Sequence, residues 1–109
     1  MTGEMGWNDL KEYRDMIELT NKIQKRLKIG AELRPFDVYQ GPYIAVDFDR
    51  LPLKKKEENN RLSSWQVDIW QGEFTTYNIE YNHQWYEEIF PDEVIPLLKE
   101  FKKQRSKEV

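Results

Sequence analysis

The chain has 109 residues, no cysteine and a net charge of −3, with 34% charged and 39% hydrophobic residues. That combination fits a single domain spanning residues 1–109 and excludes a disulfide framework, a thiolate metal centre and an intrinsically disordered chain. The first ten residues, MTGEMGWNDL, carry no basic segment followed by an apolar run. No stretch approaches the roughly 18 apolar residues of a membrane span, so a cytoplasmic protein without membrane attachment is expected.

Charge is unevenly distributed. Between Arg61 and Lys99 there is no lysine or arginine, while Asp68, Glu73, Glu80, Glu87, Glu88, Asp92 and Glu93 fall there. That interval is strongly acidic and the remainder is net basic. The net charge of −3 argues against a dedicated duplex-DNA binder, which normally carries an overall positive charge, while the polarity favours a basic partner for the acidic half.

Residues 7–30 predict an amphipathic helix. Leu10, Tyr13, Ile17, Ile23 and Leu27 recur at three- and four-residue steps, and Met16 and Leu19 widen the stripe. Asn8 or Asp9 suits the N-cap and Gly30 the left-handed residue that ends a helix. Lys22, Lys25, Arg26 and Lys28 lie late in the helix, where its dipole favours cations; a phosphate-binding patch is the less favoured reading.

The alternation in PFDVYQGPYIAVDFD predicts a hairpin turning at Gln40-Gly41-Pro42, with Phe36, Val38, Ile44, Val46 and Phe48 on one face. Residues 50–62 read as a mobile polar loop whose Lys54, Lys55 and Lys56 could contact nucleic acid. A second hairpin follows, turning at Trp70-Gln71-Gly72 with Gly72 left-handed. It places Trp65, Val67, Ile69, Tyr77, Ile79 and Tyr81 in the core and Gln66, Asp68, Phe74, Thr76, Asn78 and Glu80 on the polar face. Val94, Leu97, Leu98 and Phe101 mark a C-terminal helix with Pro96 in its first turn and residues 104–109 fraying. The expected fold is α+β: a four-stranded, largely antiparallel sheet of two hairpins, with an N-terminal and a C-terminal helix packed on one face.

Catalytic signals are weak. His83 is the single histidine, and even with Glu87 four residues on it lacks a third ligand, so neither a metal nor a cofactor is expected. Ser63 and Ser64 have no nucleophile-elbow context, and the five glycines form no phosphate-cradling pattern. Asp37, Asp47 and Asp49 could form a metal-dependent acid cluster with Asp68, although alternating aspartates on a sheet face usually serve solubility.

Aromatics combined with carboxylates make the stronger case. Trp70, Phe74, Asp68, Trp85, Tyr86, Glu87 and Glu88 form the expected partner-binding set, with Trp70 as the main anchor; packing beneath the second helix is an equal reading for Trp85 and Tyr86. The favoured function is a small non-enzymatic protein-binding regulator or inhibitor docking on a basic partner, of a composition that suits a virus or mobile element. A single-stranded nucleic-acid binder using sheet aromatics and flanking lysines is the alternative, followed by the acid-cluster enzyme.

Overall fold

The structure, a computed structural model, describes residues 11–34, 41–53, 62 and 64–107, apart from the side chains of Glu12 and Lys107. Its elements are α1 (Lys11–Leu27), β1 (Gly30–Arg34), β2 (Tyr43–Asp47), β3 (Val67–Gln71), β4 (Tyr77–Tyr81), β5 (Gln84–Ile89) and α2 (Pro91–Lys107). The class is α+β. The sheet has five strands in the order β1-β2-β3-β4-β5, and every neighbouring pair is antiparallel.

In α1 the buried face runs through Met16, Leu19, Thr20, Ile23 and Leu27, while Ile17 is exposed and Tyr13 half-buried. The stripe is thus rotated from the expected one: residues 16, 19, 20, 23 and 27 follow the helical repeat more closely than a stripe that includes residue 17. Thr20 is admitted because its hydroxyl donates to the Met16 carbonyl at 2.8 Å. The left-handed terminator is Lys28, with φ 56°, rather than Gly30; Leu10, Asn8 and Asp9 lie outside the described residues. Gly30 opens β1, where a Cβ would come within 3.0 Å of both the Arg50 Cβ and a Leu62 methyl. A side chain there would crowd both and oblige them to shift.

The first hairpin differs from expectation. Ile44 pairs with Leu33 and Val46 with Ala31, so the strand before β2 is residues 30–34. Phe36, Asp37 and Val38 lie outside the described residues. The expectation failed because GAELR is short and half polar, whereas residues 36–40 alternate more cleanly. The inward orientation of Ile44, Val46 and Phe48 stands.

The second hairpin keeps its parity but slides along the chain. Ile69 pairs with Ile79 and Trp70 with Asn78, leaving residues 72–76 as the loop. Because the slide is an even number of residues, Val67, Ile69, Tyr77, Ile79 and Tyr81 still face the core. Trp65 does not; it precedes β3 and is 37% exposed. Phe74 and Thr75 hold the positive φ angles, and Gly72 instead makes room, since a Cβ there would meet the Thr76 hydroxyl at 2.9 Å.

The fifth strand follows a two-residue turn at Asn82 and His83, with φ 55° and 65° and Tyr81 paired to Gln84. These are the mirror-image turn conformations that match strand twist. Further along β5, Glu87 and Glu88 together oppose Asn78 in a bulge: Ile79 pairs with Tyr86 and Tyr77 with Ile89, and Glu88 has φ 56°. The bulge hides the alternation that would reveal the strand. His83 and Glu87 therefore lie on a turn and an edge strand, not one above the other on a helix face.

Pro91 starts α2, with Asp92 and Glu93 in its first turn, so Pro96 lies inside the helix rather than in that turn. The helix continues through Lys107, beyond the expected fraying point at residue 104. Val94, Ile95, Leu98 and Phe101 from α2 join Met16, Leu19, Ile23 and Leu27 from α1 and the inward residues of the sheet in one core. Phe101 stacks on Tyr81 with ring centroids 4.2 Å apart.

A meander of five strands fixes the relative direction of the helices. Each helix joins its edge strand through a tight connection and doubles back, and with an odd strand count β1 and β5 run the same way. The helices consequently run parallel. Lys11 and Asp15 lie with Pro91 and Asp92 at one end of the cleft between them, while Arg26 and Leu27 lie with Lys99 to Ser106 at the other. Lys102 Nζ donates to the Leu27 carbonyl at 3.5 Å across this second end.

Candidate functional site

The sheet's outer face, opposite the core, carries one unbroken cross-strand row: Glu32, Ala45, Asp68, Glu80 and Trp85, one from each strand. Side chains in such a row point the same way and touch their neighbours. Asp68 and Glu80 are thus directly opposed like charges, an arrangement that costs stability. Trp85, 53% exposed, stands beside Glu80 at the free side of the row.

The polar connection before β3 completes the site. Leu62, expected in a mobile loop, is buried on the outer face: its amide donates to Glu32 Oε2 at 3.1 Å and its carbonyl accepts from an Arg34 guanidinium nitrogen at 2.6 Å. The chain then brings Trp65 over Arg34, whose guanidinium carbon lies 3.8 Å from the ring centroid. From that position the Trp65 indole N–H donates to Asp68 Oδ1. The result is a groove of about 380 Å³ lined by Trp65, Gln66, Asp68, Glu80, His83 and Arg105 among others.

Its electrostatics are set by the paired carboxylates. Burial raises the Asp68 carboxyl above its ordinary value; the Trp65 hydrogen bond lowers it, the Glu80 charge raises it further, and Arg34 lowers it. The nearby cations are committed elsewhere, Arg34 to Glu32 and Arg105 to Asp49. Among the described residues, neither Asp68 nor Glu80 forms an ion pair. The groove sets negative charge beside the Trp65 indole ring.

The expected partner-binding set is divided by the structure. Asp68 and Trp85 share the outer row. Trp70 does not sit at a hairpin tip; it lies within β3, half-buried and stacked on Tyr43 with centroids 4.5 Å apart. Its indole nitrogen is buried without a hydrogen-bond partner. Phe74, expected on the polar face of a strand, occupies the loop at the far end of the β3–β4 hairpin and is 88% exposed. Tyr86 turns inward, 5.1 Å from Phe101 between ring centroids, and its hydroxyl donates to Gln84 Oε1 at 3.0 Å. Glu87 and Glu88 are exposed on the bulge, where the Glu88 amide donates to Asn78 Oδ1. Lys54, Lys55 and Lys56 lie outside the described residues.

Among the described residues the acid cluster of the enzymatic reading is not assembled. Asp47 is buried and its Oδ1 accepts the Asp49 amide at 2.9 Å, bracing the turn after β2. Asp49 pairs with Arg105, and Asp37 lies outside the described residues. Among the described residues no group of three or more histidine, cysteine or acidic side chains could hold a metal ion, and no helix is long and apolar enough to cross a membrane.

Of the residues that line the groove, only Asp68 belongs to the expected partner-binding set. Trp65, expected inward, lies before the strand because β3 begins at Val67, and Glu80, expected on the polar face, matters through the register that sets it opposite Asp68. The Asn82-His83 pair was the available signal for the neighbouring turn, since Asn adopts positive φ readily. Compared with known protein families, curated proteins and solved structures, the chain matches none.

Proposed function

We propose that the chain is a non-enzymatic protein-binding module, a small regulator or inhibitor, that docks the outer face of its sheet on a basic surface of a partner protein. The observation carrying this reading is the Asp68–Glu80 pair, two directly opposed carboxylates without an ion-pair partner among the described residues, with Trp65 and Trp85 beside them. A partner lysine or arginine inserted there neutralises the repulsion and lies against an indole ring. The free protein bears the repulsion; the complex relieves it.

Titration with an arginine-rich peptide, followed by intrinsic tryptophan fluorescence, tests the groove. Glu80→Gln is expected to weaken binding by about tenfold or more, the range for loss of a charge-assisted contact, while raising the melting temperature of the free protein. Undiminished peptide affinity in Glu80→Gln, or no fluorescence response in the unmodified protein, would discard the assignment.

A further inference from the structure

The parallel helices produce a second charged surface, remote from the sheet's outer face. Arg26 and Leu27 of α1 and Lys99, Lys102, Lys103 and Ser106 of α2 line an open groove of about 530 Å³. Lys22 extends the cationic lining into the adjoining cleft, which shares Arg26 and Lys99. Among the described residues no carboxylate lines the groove. Asp15, Glu18 and Asp92 lie in the adjoining cleft, and Glu100 is absent from the lining.

Helix dipoles do not account for this cluster. The dipole's influence is confined to about the last turn of a helix. In α1 that covers Lys25 and Arg26, whereas Lys22 is five residues before the end; in α2, Lys99, Lys102 and Lys103 all precede the last turn, which ends at Lys107. The four cations lining the groove repel one another, and among the described residues neither they nor Lys22 is in an ion pair. Lys102 alone has a hydrogen bond to an internal acceptor, the Leu27 carbonyl. An anionic ligand relieves the repulsion.

We propose that this groove binds the sugar-phosphate backbone of a nucleic-acid duplex. Residues four apart on a helix lie about 6 Å apart along its axis, so Lys22 with Arg26, and Lys99 with Lys103, present two parallel rows of cations to successive phosphates. Among the described residues Leu27 is the only apolar one of the lining and none is aromatic, which offers an unpaired base no ring to stack on. Binding is therefore to the backbone, without reading of base sequence. The acidic groove on the sheet is not involved, so this surface operates whether or not a protein partner is bound.

Fluorescence anisotropy with a labelled mixed-sequence DNA duplex tests the proposal. A single strand of the same sequence and polyglutamate serve as competitors. Duplex binding is expected at about 50 mM salt, falling by a few hundredfold by about 200 mM, as neutralisation of four or five phosphates requires. Lys99→Gln with Lys103→Gln lowers the magnitude of the log-log salt slope by about 2, and Lys22→Gln with Arg26→Gln does the same from the other helix. Arg14→Gln, a loss of one positive charge toward the opposite end of α1, leaves the salt slope unchanged, whereas loss of a contacting cation would lower it by about 1. Circular dichroism establishes that each variant is folded, and the two double variants are independent of each other. Absence of duplex binding, equal binding by both double variants and the unmodified protein, or tighter binding of the single strand or of polyglutamate would each overturn the proposal.

Discussion

Asp68 carries a conflict between folding and binding. Its carboxyl is raised by burial, so between its ordinary value and its raised one the folded protein holds the proton that the unfolded chain has released. Stability therefore falls as pH rises through that window and stays lower above it. Asp68→Asn, which keeps an oxygen to accept the Trp65 indole N–H, is expected to raise the melting temperature at pH 7 and flatten its dependence on pH in the acidic range. An unchanged profile would mean that the charge is not strained in the folded state. Trp70 makes the opposite case. Stacked on Tyr43 and half-buried, it belongs to the body of the sheet, and Trp70→Ala should cost about 2 kcal/mol in urea unfolding. A denaturation midpoint equal to that of the unmodified protein would return it to the class of exposed anchors. The residues of the site were legible in the sequence as a list of acidic and aromatic side chains. Their assembly was not, because Asp68 meets Glu80 only in one register, and Trp65 joins them through Leu62, whose partners Glu32 and Arg34 are distant in sequence.

Among the elements, the Asn82-His83 turn and the strand it launches carry the largest structural consequence. Both residues hold positive φ, which asparagine tolerates and histidine tolerates less well. His83→Gly should relieve this strain and stabilise the protein by about 0.5–1 kcal/mol, after allowance for the greater freedom of glycine in the unfolded chain. A lower melting temperature in that variant would show that the imidazole makes a compensating contact. Helices and inward faces were readable because their apolar residues repeat regularly; Met16, Ile23, Val67, Ile69, Ile79 and Phe101 are all buried. The strand count was not readable, for two physical reasons. β1 packs by virtue of a small residue, Gly30, rather than a run of large apolar ones. β5 is an edge strand whose bulge at Glu87 and Glu88 breaks the two-residue repeat that marks a strand.

At the scale of the molecule, the fifth strand separates the charges. Four strands would have set the helices antiparallel and placed the basic end of one beside the acidic end of the other. Five strands align them, gathering Arg26, Lys99, Lys102 and Lys103 at one end and leaving Asp15, Glu18 and Asp92 at the other. The same meander also governs how the chain can fold. Every strand pairs only with its neighbours in sequence, so the sheet can grow like a zipper from any of its hairpins, with little loop entropy lost at each step. The helix pair has no such advantage, because the bond from Lys102 to the Leu27 carbonyl spans most of the chain. Val94, Ile95, Leu98 and Phe101 thus complete from a distant part of the chain a core that α1 covers only in part. A chain lacking α2 would leave the ring of Tyr81 and the apolar side chains around it open to other chains, a surface on which aggregation begins.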